Sequence, residues 1–264
     1  MSAWGGSGQG RRSQAWQGAL PAAIWGMHSH RLLLSLLGAW LLVACHSTGP
    51  LGKGAAYGDK PGPRDFQTVV IDAGHGGKDS GARARGLTEK NLTLDIAKRL
   101  AALLEPDFRV ILTRTHDHFV ELDQRAQTAS RHSNAVLVSI HFNYGRRWRA
   151  GPETYWWRVD SYSLARRIQR HLNGACPHES GNAGLVRRRL RLTRNPTIPC
   201  VLMECGYLTS LKDARMLGTA DYRQRIAKSL ASALREQRMA GDTGMGPLPA
   251  PIYAPPSRAT DARG

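Results

Sequence analysis

Two histidines and two glutamates stand next to the short apolar runs of this chain, where an α/β protein places the residues that do chemistry. They are His75, Glu89, His141 and Glu204. Neutral imidazoles and carboxylates are the ligands that hold a catalytic zinc ion with one coordination position left open. A single histidine after a strand is more often structural, so the prediction of a metal site depends on several of these side chains meeting.

Three apolar runs predict buried strands that lead into these residues. The runs cover residues 69–71, 136–140 and 200–203. His75 follows the first run inside a glycine-rich turn, and the other two runs end directly at His141 and Glu204. Because the carboxyl ends of parallel strands meet at one edge of a sheet, we expect these three side chains to share a crevice there.

Glu89 instead lies in the first turn of a predicted amphipathic helix that Thr88 caps. Apolar residues recur on one face of this helix, at Leu92, Ile96, Leu100 and Leu103. The alternation continues with strands near residues 109–112 and 153–157 and with helices at residues 121–130, 161–172 and 222–239. This pattern predicts a single α/β domain with a twisted, mostly parallel sheet and helices on both faces.

The glycine-rich turn also invites comparison with a phosphate-binding loop, because Gly77 precedes Lys78. That motif requires a glycine five residues before the Gly-Lys pair and a serine or threonine after it. Asp72 and Asp79 occupy those two positions, so we reject a phosphate-binding loop.

The segments around the four residues resemble the zinc-dependent N-acetylmuramoyl-L-alanine amidases of the type-3 family, which are bacterial cell-wall amidases. The resemblance covers roughly residues 67–235. Its main segments are residues 71–77, 87–90, 138–141 and 199–210, in the order and spacing of the family, and residues 112–115, residues 122–125 and Arg194 also fit. The chain departs from the family pattern in two ways. Cys200 and Cys205 stand where small or aliphatic residues are expected, and Phe142-Asn143 replaces the commoner Ala-Asp.

The resemblance implies that His75, Glu89 and His141 bind Zn²⁺ and that Glu204 is the catalytic residue, which accepts a proton from water. The substrate it implies is peptidoglycan, cut at the amide between N-acetylmuramic acid and L-alanine. Asp72 either orients one of the imidazoles or caps the loop. We expect a monomer that binds no nucleic acid.

The N-terminal part of the chain predicts export. Residues 1–26 show no periodic pattern and are a mis-assigned start if translation begins at Met27. Residues 27–44 resemble a lipoprotein-type signal peptide, because basic residues precede a short apolar core and small residues precede Cys45. A lipid on Cys45 would hold the protein at the periplasmic face of a bacterial membrane. The resemblance to lipoproteins implies the outer membrane. The alternative is an ordinary signal peptide.

The remaining boundaries follow from composition. Residues 45–64 are rich in Gly and Pro and predict a flexible tether. Residues 65–240 form the predicted catalytic domain, and residues 241–264 are predicted to be disordered. Cys205, next to Glu204, could be a nucleophile, but neighbours on a strand point to opposite faces, so we expect a small core residue instead.

The formal net charge is +17, and removal of residues 1–44, which carry three arginines and no acidic residue, leaves +14. Such a charge favours anionic partners. An exported protein does not meet chromosomal DNA, so the carboxylates of peptidoglycan and anionic lipid headgroups fit better. Three alternatives stay open: another zinc hydrolase on this scaffold, a wall-binding module without catalysis, and a structural lipoprotein that binds polyanions.

Overall fold

The computed structural model describes residues 60–176 and 182–260. The predicted signal peptide, Cys45 and nearly all of the predicted tether lie outside the described residues. Among the residues that are described, no helix is long and apolar enough to cross a membrane.

A six-stranded sheet forms the centre of the domain. Its strands are β1 (Thr68–Ala73), β4 (Arg109–Leu112), β5 (Ala135–Asn143), β6 (Glu153–Trp156), β7 (Gly184–Arg187) and β8 (Cys200–Tyr207), and a short hairpin of β2 (Arg83–Ala84) and β3 (Leu87–Thr88) follows β1. The order across the sheet is β4-β1-β5-β8-β6-β7. The first four strands run parallel, and β6 and β7 run antiparallel to them. The prediction of a mostly parallel sheet is confirmed.

Helices pack on both faces of this sheet, as predicted. They are α1 (Glu89–Leu104), α2 (Leu122–Ser130), α3 (Tyr162–Ala175), α4 (Arg191–Arg194), α5 (Leu211–Leu217) and α6 (Ala220–Ala240). Val69 and Ile71 pack in the larger core with α1, α3 and α6. Val70 faces the smaller core with α2 and α4. Strands that are buried on both faces need apolar residues at nearly every position, which is why the runs in the sequence are continuous.

Two of the strands are longer than the apolar runs indicated. β5 continues to Asn143 and β8 to Tyr207, so His141 and Glu204 lie inside strands and not just beyond them. The strands continue because the β5–β8 ladder pairs His141 with Glu204, and a bulge follows between His141 and Asn143. Thr88 occupies the predicted N-cap position of α1 but makes no capping hydrogen bond with its side chain.

The C-terminal tail differs from its prediction. Residues 241–260 contain no helix or strand, yet Ser257 is only 4% exposed and exchanges hydrogen bonds with Asn195. Tail carbonyls accept further hydrogen bonds from Arg187, Arg189, Arg191 and Arg194. The prediction of disorder is therefore wrong for this part, because composition does not reveal donors that come from another segment.

A buried ion pair joins β1 to α2. Asp72 is fully buried, and its Oδ1 accepts a hydrogen bond of 2.8 Å from Arg125 Nη1. Thr113 Oγ1 and Ser139 Oγ each donate to the same carboxylate at 2.6 Å. Burial alone would raise the pKa of Asp72, but the Arg125 charge and these hydroxyls hold it below its ordinary value. Through these three residues Asp72 ties β1 to the neighbouring segments of the domain.

Asp72→Ala would leave the buried Arg125 guanidinium without its counter-charge. We expect the free energy of unfolding, measured by urea denaturation, to fall by about 3–5 kcal/mol. Asp107→Ala is the matched control, because Asp107 pairs with Arg235 at the surface, where the side chains are 41% and 40% exposed. The control should lose less than about 1 kcal/mol. Equal losses in the two variants would contradict this account of the pair.

Candidate active site

The structure brings His75, Glu89 and His141 together at the carboxyl edge of β1 and β5. Their ligand atoms all lie within 4.8 Å of one another. Glu89 Oε1 is 3.0 Å from His75 Nε2 and 3.1 Å from His141 Nδ1. The three residues predicted to bind a metal therefore form one cluster.

Glu89 is fixed at the centre of this cluster by backbone donors. Its Oε2 accepts a hydrogen bond of 2.7 Å from Ala82 N, and its Oε1 accepts one of 2.9 Å from Phe142 N. Burial would raise the pKa of Glu89, but its contacts with the histidines His141 and His75 hold that pKa well below the ordinary value. The side chain is therefore a carboxylate, as a metal ligand must be.

His75 is held from its other ring nitrogen by Asp79, whose Oδ2 lies 2.8 Å from His75 Nδ1. Burial lowers the pKa of His75, but the interactions with Glu89 and Asp79 outweigh it and raise the pKa to about 9. Asp79 thus orients the imidazole of His75. Sequence reasoning used Asp79 only to reject a phosphate-binding loop; its position four residues after His75 in a tight turn was the available signal.

Two buried arginines hold the loop that carries His75. Arg114 donates to the carbonyls of Ala73 and Gly74 at 2.8 and 2.9 Å. Arg125 donates to the carbonyls of Ala73 and His75 at 2.7 and 2.8 Å. His75 itself has a φ of 60°, in the left-handed region that side chains rarely adopt. A strained backbone of this kind persists only where its surroundings determine it, as these donors do here.

Glu204 lies beside the cluster, because it is the ladder partner of His141 across β5 and β8 and shares its face of the sheet. On its other side it pairs with Glu153 of β6. Glu153 is also buried, and its Oε2 accepts hydrogen bonds from Tyr155 and Tyr207 hydroxyls at 2.8 and 2.9 Å. The sequence does not predict a role for Glu153, although a glutamate that begins a strand otherwise made of Thr, Tyr and Trp was a signal.

The side chain of Cys205 points away from His141, Glu204 and Glu153. It packs in the larger core on the opposite face of the sheet and is 2% exposed. Burial raises the pKa of its thiol far above the ordinary value. The expectation that Cys205 is a core residue and not a nucleophile is confirmed by its position.

His75 and Glu89 line a cleft of about 670 Å³. Its walls carry the aromatic rings of Phe119, Phe142 and Tyr144 and the charged side chains of Lys78, Asp79, Glu121, Arg125 and Arg191. A cleft of this size accommodates a small molecule or the few groups around one bond of a polymer. The residues and the cleft together fit an enzyme with an α/β sheet and a candidate two-histidine, one-glutamate metal site.

The family model described as N-acetylmuramoyl-L-alanine amidase matches residues 69–236, so the chain belongs to this family of cell-wall amidases. The matched region contains all four predicted site residues.

Individual relatives agree with this assignment. The chain is 29% identical to the probable N-acetylmuramoyl-L-alanine amidase AmiB of Haemophilus influenzae over 63% of this chain, but spans only 51% of that protein. It is 30% identical to the sporulation-specific N-acetylmuramoyl-L-alanine amidase of Bacillus subtilis, over 64% of this chain and 67% of the relative. The catalytic domain of the amidase CwlV from Bacillus (Paenibacillus) polymyxa var. colistinus superposes with a TM-score of 0.61 at 36% identity, over 65% of this chain and 97% of that one.

Gly81→Ala should prevent metal binding, because the new Cβ would overlap Glu89 Oε2 and lie 2.6 Å from His75 Cδ2. Gly86→Ala is the matched control: both glycines have positive φ, 60° and 77°, but nothing lies within 4 Å of a Cβ at Gly86. Metal content after dialysis against zinc, with circular dichroism to check folding, measures the effect. Equal zinc content in the two variants would contradict the packing of the cluster around Gly81.

Proposed function

We propose that the chain is a zinc-dependent N-acetylmuramoyl-L-alanine amidase that cuts the amide between the lactyl group of N-acetylmuramic acid and L-alanine, and so releases stem peptides from peptidoglycan. The observation that supports this most is the His75–Glu89–His141 cluster, within 4.8 Å, in a chain of the amidase family. The names of the relatives from H. influenzae and B. subtilis support the choice of bond.

Zinc is the metal we propose, because two imidazoles and one carboxylate form a ligand set that catalytic zinc uses, whereas magnesium and calcium favour oxygen ligands alone. Bound zinc would supply a Lewis acid that lowers the pKa of water and polarises the scissile carbonyl. His75, Glu89 and His141 would hold it. Asp79 would fix the tautomer of His75 by accepting the proton of Nδ1, which leaves Nε2 for the metal.

Glu204 would act as the general base and then as the general acid. Its carboxylate would accept a proton from the attacking water and pass that proton to the amine of the departing L-alanine. The register of β8 against β5 supports this role, because it places Glu204 next to His141 without placing it in the three-residue cluster.

Export and lipid anchoring at Cys45 remain proposals from the sequence pattern at residues 27–45. They suit the substrate, because peptidoglycan lies outside the cytoplasm. An anchor in the outer membrane, facing the wall, would let residues 45–64 set how far the catalytic domain reaches. Detergent partitioning of the wild type and of Cys45→Ser tests this; equal partitioning of the two would contradict it.

Mass spectrometry of purified sacculi digested by the zinc-loaded chain tests the proposed reaction. An amidase produces stem peptides with a new amino-terminal L-alanine and leaves intact glycan strands, and a chelator should stop it. A peptidase would expose other amino termini, and a deacetylase would release acetate. A wall-binding module or a polyanion-binding lipoprotein would release nothing, with or without the chelator.

Glu204→Gln should abolish hydrolysis while zinc stays bound, because the amide cannot accept a proton. We expect a loss of at least about 10²-fold in kcat, with zinc content equal to that of the wild type. Loss of the metal in this variant would place Glu204 among the ligands and contradict its role.

His75→Ala and His141→Ala should lose both the metal and the activity, because each removes one of two imidazole ligands. His132→Ala serves as the control, since His132 lies outside the cleft. Zinc content and stem-peptide release are measured on the same samples. Wild-type turnover in either ligand variant would contradict the proposed site.

A further inference from the structure

Arg191 is a cation of the cleft whose role is not explained by the metal cluster. It begins α4 and lines the same cleft as His75 and Glu89. Its side chain is 21% exposed, and its Nε is buried without a hydrogen-bond partner among the described residues.

The other cations of the cleft have defined structural contacts. Arg125 donates to Asp72 and to three carbonyls, those of Ala73, His75 and Val120. Lys78 lies over the ring of Phe119, with its Nζ 4.3 Å from the ring centroid. These contacts leave Arg191 as the arginine of the cleft with the fewest internal partners.

Arg191 has two partners among the described residues, the carbonyl of Arg258 and the carboxylate of Asp123. Its Nη2 donates to the carbonyl of Arg258 at 2.9 Å, and its Nε is 3.6 Å from Asp123 Oδ1, beyond hydrogen-bond distance. Within residues 60–176 and 182–260, Nη1 makes no hydrogen bond. The Nη1 donors of this cleft-lining arginine are therefore not used by any described residue.

The tail fixes the carbonyl that holds Arg191. Asn195 Nδ2 donates to Ser257 O at 2.9 Å, and Ser257 N donates to Asn195 Oδ1 at 2.7 Å. Ser257 Oγ also donates to the carbonyl of Arg189 at 2.9 Å. Thr260, two residues beyond Arg258, lines the cleft itself. This segment lies outside residues 69–236, which match the family model.

We propose that Arg191, oriented by the C-terminal tail, is a carboxylate-binding subsite for the stem peptide of the substrate. The proposal rests on the proposed amidase function. In that substrate the lactyl carboxyl is part of the scissile amide and the sugars next to it are neutral, so the anionic groups belong to the stem peptide. Because Arg191 lines the same cleft of about 670 Å³ as His75 and Glu89, we take the carboxylate nearest the scissile bond, the α-carboxylate of the second stem residue, as the ligand.

Two soluble muramyl tripeptides test this subsite, one with a free α-carboxylate at the second stem residue and one with the α-carboxamide. For the full chain loaded with zinc, Arg191→Gln should raise KM for the carboxylate substrate about tenfold, since hydrogen bonds to charged groups contribute that much or more. We expect kcat to change by less than about twofold and KM for the carboxamide to stay constant, because the bonds lost are made equally in ground and transition states. Arg191→Lys, which keeps the charge without the fork of donors, should restore part of the loss.

The tail is tested separately. Asn195→Ala removes both hydrogen bonds to Ser257. It should raise KM for the carboxylate substrate, but by less than Arg191→Gln does. The double variant with Arg191→Gln should have the same KM as Arg191→Gln alone, because both changes act through one interaction. Arg225→Gln is the control, since Arg225 is exposed on α6 and its replacement removes the same charge.

An equal rise in KM for both substrates, or no rise for either, would overturn the subsite. Calorimetric binding of the two peptides to the Glu204→Gln variant keeps the question separate from catalysis. If the wild type hydrolyses neither peptide nor sacculi, the proposed function fails, and the subsite is then judged by binding alone. Equal affinity for carboxylate and carboxamide in that measurement would overturn it.

Discussion

The site depends on hydrogen bonds from two buried guanidiniums to the carbonyls that follow β1. Arg114 and Arg125 together hold the carbonyls of residues 73–75, which point into the protein where the chain turns at His75. Without these donors the carbonyls would lose hydrogen bonds, although that of Gly74 would keep one from Thr93 Oγ1, and the left-handed backbone of His75 would relax. Asp72 makes this arrangement stable by balancing one of the two charges within the protein.

The two faces of the sheet have different roles: one packs in the larger core, and the other carries the candidate site residues. The face under α1, α3 and α6 is apolar and forms the larger core. The other face carries a polar row at the carboxyl edge, in which His141, Glu204 and Glu153 are neighbours on β5, β8 and β6. Because residues alternate between faces along a strand, Glu204 can lie in the polar row while Cys205 lies in the core. A one-residue shift of β8 would exchange the two and remove the proposed base.

Much of this arrangement could be predicted from the sequence, because apolar runs interrupted by His and Glu indicate where buried strands reach a polar edge. The strand ends were not predictable, since pairing of His141 with Glu204 prolongs β5 and β8 beyond their apolar runs. The contact of Asp79 with His75 was not predicted either, because it depends on the geometry of the turn between them. The ordered tail depends on donors far away along the chain, which local composition does not show.

The central claim is that His75, Glu89 and His141 bind the catalytic metal of an amidase. X-ray absorption spectroscopy of the full chain loaded with one equivalent of zinc tests it most directly, because the spectrum reports the ligand types. We expect the zinc to be bound by two imidazoles and by oxygen ligands, with zinc–nitrogen distances of about 2.0–2.1 Å and no sulfur ligand. Sulfur scattering at about 2.3 Å, or a single imidazole, would contradict it.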